Sequence, residues 1–249
     1  MIKIKANVLR EFLLKTTANG TITDGKLQFT EKGLEMYHKD EPGVICVCGV
    51  LNKANFPEYE TMSFNVKSTD QILKGLKTMK DNMINIVKKD NIVKILDENG
   101  GFDLSLAENV QLFREGGVPG LEYDHSILVK KSMVEDIIEK SKIVSSDEMR
   151  ILNKDKKLRF IVGNESDSAH SEAMSSVDKE YGSEFEITFI NTLSPVLDPI
   201  FNLSIGAELP SKIEEKTDKY TVVYFLTPKT KVEEQNNEAP KQQEEKEEE

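Results

Sequence analysis

Asn7-Val-Leu-Arg-Glu-Phe-Leu-Leu-Lys15, followed after a polar break by Lys26-Leu-Gln-Phe-Thr-Glu-Lys-Gly-Leu-Glu-Met-Tyr37, decides the fold, because residues 132–163 repeat its order. There Ser132-Met-Val-Glu-Asp-Ile-Ile-Glu-Lys-Ser-Lys142 precedes Glu148-Met-Arg-Ile-Leu152, a Lys/Asp turn and Lys157-Leu-Arg-Phe-Ile-Val162. Val8, Leu9, Phe12 and Leu13 recur at helical spacing and leave Arg10, Glu11 and Lys15 on the other side, which predicts an amphipathic helix. Lys26–Tyr37 alternates around Glu31-Lys32-Gly33, the pattern of a hairpin. A helix followed by hairpins in each half predicts an α+β fold of two similar domains, each with two helices packed on antiparallel sheets. A non-catalytic, ring-building protein is one of the few things such a duplicated plan suits. The expected boundaries are 1–107 for the first domain, 108–124 for a connector, 125–229 for the second domain and 230–249 for an acidic tail.

Outward from these stretches, Ile2 and Ile4 alternate with lysines as a half-buried strand, and Pro42-Gly43 turns the chain into an apolar strand over Val44–Leu51. Ser68-Thr69-Asp70 supplies a cap for a helix over Gln71–Lys80. Its apolar stripe is Ile72, Leu73, Leu76 and Met79, while Lys74, Lys77 and Lys80 follow at three-residue steps on the other side. Met83–Val87 and Asn91–Leu96 read as a hairpin and Phe102–Leu106 as a short strand. From Ala107 to Asp124 no period survives, and a connection that long is a linker or functional. The second half offers a strand at Ser126–Lys130, a helix at 132–143 and hairpin strands, then a polar stretch around Ser166–Ser176. A strand at Glu184–Phe189 follows, then a short helix near Thr192–Ile200 broken by Pro195 and Pro199, and closing strands at Asn202–Ala207, Lys212–Glu215 and Thr221–Leu226. Phe102–Leu106 and the segment around Ser168–Val177 are expected at sheet edges, where pairing with another chain is invited.

The net charge of −11 argues against a protein that wraps nucleic acid with a basic surface. From Lys231 onward three lysines face eight glutamates, a composition expected to stay solvated. No apolar run approaches the ~20 residues of a membrane span. The start, Met-Ile-Lys-Ile-Lys-Ala, enters strand alternation without an export pattern, so a cytoplasmic or, in a eukaryote, nuclear location is expected. Cys46 and Cys48 share one face of a strand and have no Cys or His cluster nearby, so they read as small buried hydrophobes. His38, His125 and His170 are scattered. No phosphate loop, G-x-S-x-G, H-E-x-x-H or G-x-G-x-x-G occurs, so neither catalytic residues, a metal site nor a cofactor is expected.

Three stretches carry a resemblance. Ser145-Ser-Asp-Glu-Met-Arg-Ile151, Gly206-Ala-Glu-Leu-Pro-Ser-Lys-Ile213 and the terminal Tyr224-Phe-Leu-Thr-Pro-Lys229, in the duplicated order described above, resemble DNA sliding clamps of the proliferating-cell-nuclear-antigen type over about residues 1–230. Phage clamps share that architecture. The resemblance implies a homotrimeric ring that encircles duplex DNA as a polymerase processivity factor, with helices lining the hole and sheets outside. It turns Arg10, Lys15, Lys74, Lys77, Lys80, Lys140 and Lys142 into DNA-facing candidates; the helix expected at Asn191–Ile200 has no Lys or Arg to add. It also implies an apolar pocket for short peptides from a polymerase, clamp loader, ligase or nuclease. By position this pocket takes Val44, Val118, Pro119, Tyr123, Pro210, Phe225, Thr227 and Pro228, with Phe225 and Pro228 exposed because nothing later in the chain covers them. Lys39, Gly43 and Gly116 depart from the family's usual residues there. A second reading fits the composition alone: an acidic, non-DNA scaffold or adaptor of α+β fold, whose lysine rows are solvation. Molar mass in solution separates the two.

Overall fold

The structure, a computed structural model, describes residues 1–110, 112–113, 118–123, 125–163, 167–175, 180–206 and 209–228. Gly116 and the acidic tail expected over 230–249 lie outside the described residues. The first half runs β1 (Ile2–Lys5), α1 (Ala6–Thr16), β2 (Gly25–Thr30), β3 (Gly33–Lys39), β4 (Ile45–Asn52), β5 (Met62–Val66), α2 (Thr69–Met79), β6 (Met83–Lys89), β7 (Ile92–Asp97) and β8 (Gly100–Ser105). The second repeats the order as β9 (His125–Lys130), α3 (Lys131–Val144), β10 (Glu148–Lys154), β11 (Lys157–Gly163), β12 (Ser168–Met174), β13 (Tyr181–Glu186), α4 (Ile187–Leu193), β14 (Ile200–Ile205), β15 (Ser211–Lys216) and β16 (Tyr220–Leu226).

The helices form where the apolar spacing says they should. Leu9, Phe12 and Leu13 bury one stripe of α1, and Ile72, Leu73, Leu76 and Met79 bury that of α2. The Ser68 hydroxyl accepts from the Gln71 amide at 3.3 Å, satisfying one otherwise orphaned donor, and Asp70 sits in the positive first turn. α1 packs against α2, and α3 against α4.

Among the described residues all strand pairs are antiparallel. One eight-stranded sheet, in the order β5-β2-β3-β4-β16-β15-β14-β9, runs through both halves. Its internal joint is β16 beside β4, with Tyr224 opposite Val47 and Phe225 opposite Cys46. Two four-stranded sheets, β1-β6-β7-β8 and β12-β11-β10-β13, flank it, leaving β8 and β12 as edges. The duplication is visible residue by residue. The cross-sheet row Ile2–Ile86–Ile95–Phe102 in the first half matches Ile127–Leu203–Ile213–Tyr224 in the second. Apart from the half-buried Phe102 these side chains are buried, each worth about 1.5–3 kcal/mol against exposure. Phe102 lies against Gly75 of α2, where a Cβ would stand 2.2 Å from the ring.

One expectation holds and one is corrected. The segment expected at a sheet edge around Ser168–Val177 is, over its described residues, the edge strand β12, whose inward positions Ala169, Ser171 and Ala173 are small enough that the stretch reads as polar. The fourth helix starts at Ile187 and ends at Leu193, earlier than expected, and it replaces the end of the strand expected over Glu184–Phe189. Pro195 then sits in a single 3-10 turn at Ser194–Val196 and Pro199 precedes β14, so neither proline interrupts the helix.

Candidate functional site

Arg10 on α1 and Lys77 and Lys80 on and just after α2 line one groove, together with Asn7, Glu11 and Asp81. The packing of α1 against α2 creates it, so two segments about seventy residues apart in sequence contribute cations to one surface. Lys74 is exposed on α2, pairs with Asp70 at 2.5 Å, and lies toward β8 rather than in that groove. On α3, Lys142 is exposed and pairs with Glu139 at 2.6 Å. Lys140 is half-buried: its ammonium meets Asp136 at 2.6 Å and the His170 carbonyl of β12 at 2.8 Å. α4 carries no Lys or Arg.

Lys15 is corrected outright. Its side chain is 7% exposed, and its ammonium donates to the Val196 carbonyl at 2.6 Å, Asp198 Oδ1 at 2.9 Å and Glu215 Oε2 at 2.6 Å. The Tyr220 ring lies 5.5 Å from it. Glu215 is fully buried and also accepts from the Asp198 amide at 2.5 Å. Burial pushes the Glu215 carboxyl above the ordinary carboxylate range, against the downward pull of Lys15. Lys15 therefore ties α1 to the second half of the chain and is not a surface cation. Its partners stand some two hundred residues away, so no local signal points to them.

The second candidate surface is the outer face of the eight-stranded sheet. Tyr37, Cys46, Cys48, Val223 and Phe225 form a buried apolar cluster there, since strand alternation turns all five away from the helices. The connector lies on it. Phe113 donates its amide to the Tyr37 carbonyl at 3.1 Å and stacks obliquely on Phe225 at 6.0 Å between ring centroids. Tyr123 donates its hydroxyl to the Pro210 carbonyl at 2.9 Å, and the Lys212 ammonium stands 5.4 Å from its ring. Burial, then the nearby Tyr181, push the Tyr123 phenol up to about 12. The structure thus brings Tyr123, Pro210 and Phe225 to one face, and the Thr227 amide bonds to the Val44 carbonyl at 3.0 Å beside it. Val118 is exposed, Pro119, Val44, Pro210 and Pro228 are half-buried, and Thr227 is exposed. The half-buried Pro228 and above all Phe225 correct the expectation of an exposed wall: Phe225 is 2% exposed because Phe113 already covers it. Phe113 is the anchor that the sequence reading leaves out; Leu112-Phe113, the one apolar pair early in the connector, is the signal that points to it.

Among the described residues no group of three or more His, Cys, Asp or Glu side chains is placed to hold a metal ion, and no helix is long and apolar enough to cross a membrane.

No family model and no curated protein matches the chain. Solved structures do. Archaeoglobus fulgidus PCNA, solved bound to the C-terminal region of FEN-1, superposes with a TM-score of 0.77 at 18% identity, covering 94% of this chain and 100% of that one. PCNA from Entamoeba histolytica gives 0.77 at 17% identity over 92% and 98% of the two chains. The PCNA2–PCNA3 complex of Sulfolobus tokodaii gives 0.73 at 17% identity over 92% and 98%. Duplicated halves, a sheet continuous across their joint and a connector laid over its outer face are, over most of the chain, the fold of the PCNA sliding clamps.

Proposed function

We propose that the chain is one subunit of a homotrimeric sliding clamp, a processivity factor that encloses duplex DNA and tethers replication and repair proteins without catalysing a reaction itself. The observation that carries this reading is the pair of open edges, β8 and β12, on a chain whose own halves are joined by the equivalent strands β16 and β4. Repeating that joint between copies closes a ring head to tail. The grouping of Arg10, Lys77 and Lys80 between α1 and α2, in a chain of net charge −11, suits a hole that meets phosphates weakly while the acidic body avoids nucleic acid elsewhere. Topology then supplies retention and the cations permit sliding.

On the outer face, the half-buried Val44, Pro119, Tyr123, Pro210 and Pro228 and the exposed Val118 and Thr227, over a floor of Phe225, suit a short peptide with aliphatic and aromatic anchors. The A. fulgidus protein bound to the C-terminal region of FEN-1 supports a short partner segment as the occupant, and the proposed sources are a polymerase, loader, ligase or nuclease. Such a protein acts where DNA is copied: the cytoplasm of a prokaryote or virus-infected cell, or a nucleus. The test has two parts. Sedimentation equilibrium is expected to give three times the 28.2 kDa subunit mass. Protein loaded on nicked circular DNA is expected to stay on it and to run off after linearisation. A monomer at every concentration would replace the ring with the acidic-adaptor reading.

A further inference from the structure

At the internal joint, β16 lies beside β4 and Lys15 reaches from α1 across the seam to Glu215 on β15 and Asp198 just before β14. The duplication supplies a counterpart for each of the three charges. Counting from the helix starts, Ala6 and Lys131, brings Lys15 onto Lys140. Ile213 pairs with Tyr224 as Ile95 pairs with Phe102, and two residues further along their strands stand Glu215 and Asp97. Asp198 precedes Ile200, opposite Lys130, as Asp81 precedes Met83, opposite Lys5. Each counterpart keeps the sign of its original, yet Lys140 packs on the sheet that ends in β12 while Asp97 belongs to the sheet that ends in β8.

In the single chain these three groups hold local partners. The Lys140 ammonium rests on Asp136 and on a carbonyl of the edge strand β12. Asp97 accepts from the Asn82 side chain at 2.9 Å and the Asn99 amide at 2.8 Å, and Asp81 is exposed with Lys5 at 4.0 Å. Apolar surface accompanies the charges on both edges. A cavity of about 620 Å³ between α2 and β8 is lined by Gly75, Met79, Asp97, Gly101 and Phe102 among others, and Ile143 of α3 and Met174 of β12 are 81% and 77% exposed.

Taking the joint of β12 with β8 from the clamp reading, we infer a charge lock across it: Lys140 of one copy docks onto Asp97 and Asp81 of the next, as Lys15 docks onto Glu215 and Asp198 within the chain. The inference rests on the clamp reading and deepens it, naming the residues through which a second copy of this chain is recognised. The internal register, Tyr224 opposite Val47, translates into Phe102 opposite Ala169 of the neighbouring copy. Complementary charge on opposite edges also forbids β8 pairing with β8, so the ring closes head to tail.

The experiment is a charge swap read by sedimentation equilibrium on the full chain. Lys140→Glu and Asp97→Lys are each expected to weaken association by roughly 30-fold or more, the cost of truncating or opposing a close interfacial charge pair. Combining them restores opposite charges at every seam and is expected to recover most of the wild-type association. Association unchanged in the single variants, or a double variant as weak as either single one, overturns the lock while leaving the ring intact. A wild-type chain that stays monomeric overturns the clamp reading and the lock with it. Should a reversal unfold the chain by circular dichroism, the milder Asp97→Asn and Lys140→Met decide in the same assay: both weaken association several-fold, or the lock is wrong.

Discussion

Lys15→Met is the most demanding test of the fold, because it strips the cation from a fully buried carboxylate. Glu215 keeps the Asp198 amide but loses the ammonium at 2.6 Å, while the partly exposed Asp198 can turn to water. The stranded carboxylate has one escape, which is to take up a proton. At pH 7 protonating a carboxyl whose free pKa is about 4.3 costs roughly 3.7 kcal/mol, at about 1.36 kcal/mol per pH unit. That escape caps the carboxylate's share of the loss, and the wild-type carboxyl, itself raised by burial, already bears part of it, so Lys15→Met is expected to cost up to roughly 3–4 kcal/mol at pH 7. The sign follows from the raised folded pKa. Its contribution is present below the unfolded pKa and is lost as pH rises toward the folded one, so at pH 5 the cost shrinks to roughly 1 kcal/mol. Guanidinium unfolding of variant and wild type at both pH values, followed by circular dichroism, measures it. Lys15→Met with Glu215→Leu, which removes both charges, should return to within about 1–2 kcal/mol of wild type. A loss below about 1 kcal/mol at pH 7, or an equal loss at both pH values, refutes the reasoning.

Three further outcomes are expected. Replacing Arg10, Lys77 and Lys80 by alanine should shorten retention on circular DNA and flatten its salt dependence, by about 0.9 in log–log slope for each phosphate no longer met by a cation, with partner-peptide binding unaltered; an unchanged slope would reassign the groove as ordinary surface. Tyr123→Ala with Pro228→Ala should abolish calorimetric binding of an aliphatic/aromatic peptide while the oligomer persists, and wild-type affinity would sink the pocket. His38, buried against Gly25 with its pKa lowered to about 4 by burial, stays neutral in the fold while the unfolded chain protonates near 6.5. Stability should therefore fall by up to roughly 3 kcal/mol as pH drops from about 6.5 toward 4, and His38→Gln should flatten that dependence in thermal melts.

The duplication is legible in the sequence because both helices that open the halves are strongly periodic and both hairpins turn on polar residues. The fourth helix is misread for a definable reason. Phe185, Ile187 and Phe189 alternate like a strand, while Ile187, Ile190 and Leu193 recur like a helix, and a stretch this short satisfies both periods. The buried trio Ile187, Ile190 and Leu193 shows which one packing selects. β12 leaves little hydropathy signal because its inward positions are Ala169, Ser171 and Ala173, so the burial that alternates along it is carried by small side chains. Among the candidate site residues, spacing puts the helical cations on polar faces, but only the resemblance makes them, and Tyr123 and Phe225, candidates for a site. Lys15 is the one among them that the structure takes away. A lysine at a helical step reads as solvated until the fold brings Glu215 and Asp198 to it, and that is information the helix itself does not contain.

The two cysteines stand in the cluster beneath the connector, and neither is in a disulfide. Cys46 is 6% exposed and its thiol is pushed up to about 11, by burial first and then by Asp40, so in the closed state it is nearly inert to alkylation. Phe113 and Tyr123 of the connector pack on the same cluster, so a reagent is expected to reach the thiol only when that packing opens. The rate of modification by a small thiol reagent then equals the intrinsic rate scaled by the fraction of time the cluster is open. Cys46 and Cys48 are the chain's only two thiols and both sit in this cluster, so the unlabelled protein carries its own stopwatch for its opening, and a ligand that presses the connector onto it should be readable as a slower tick.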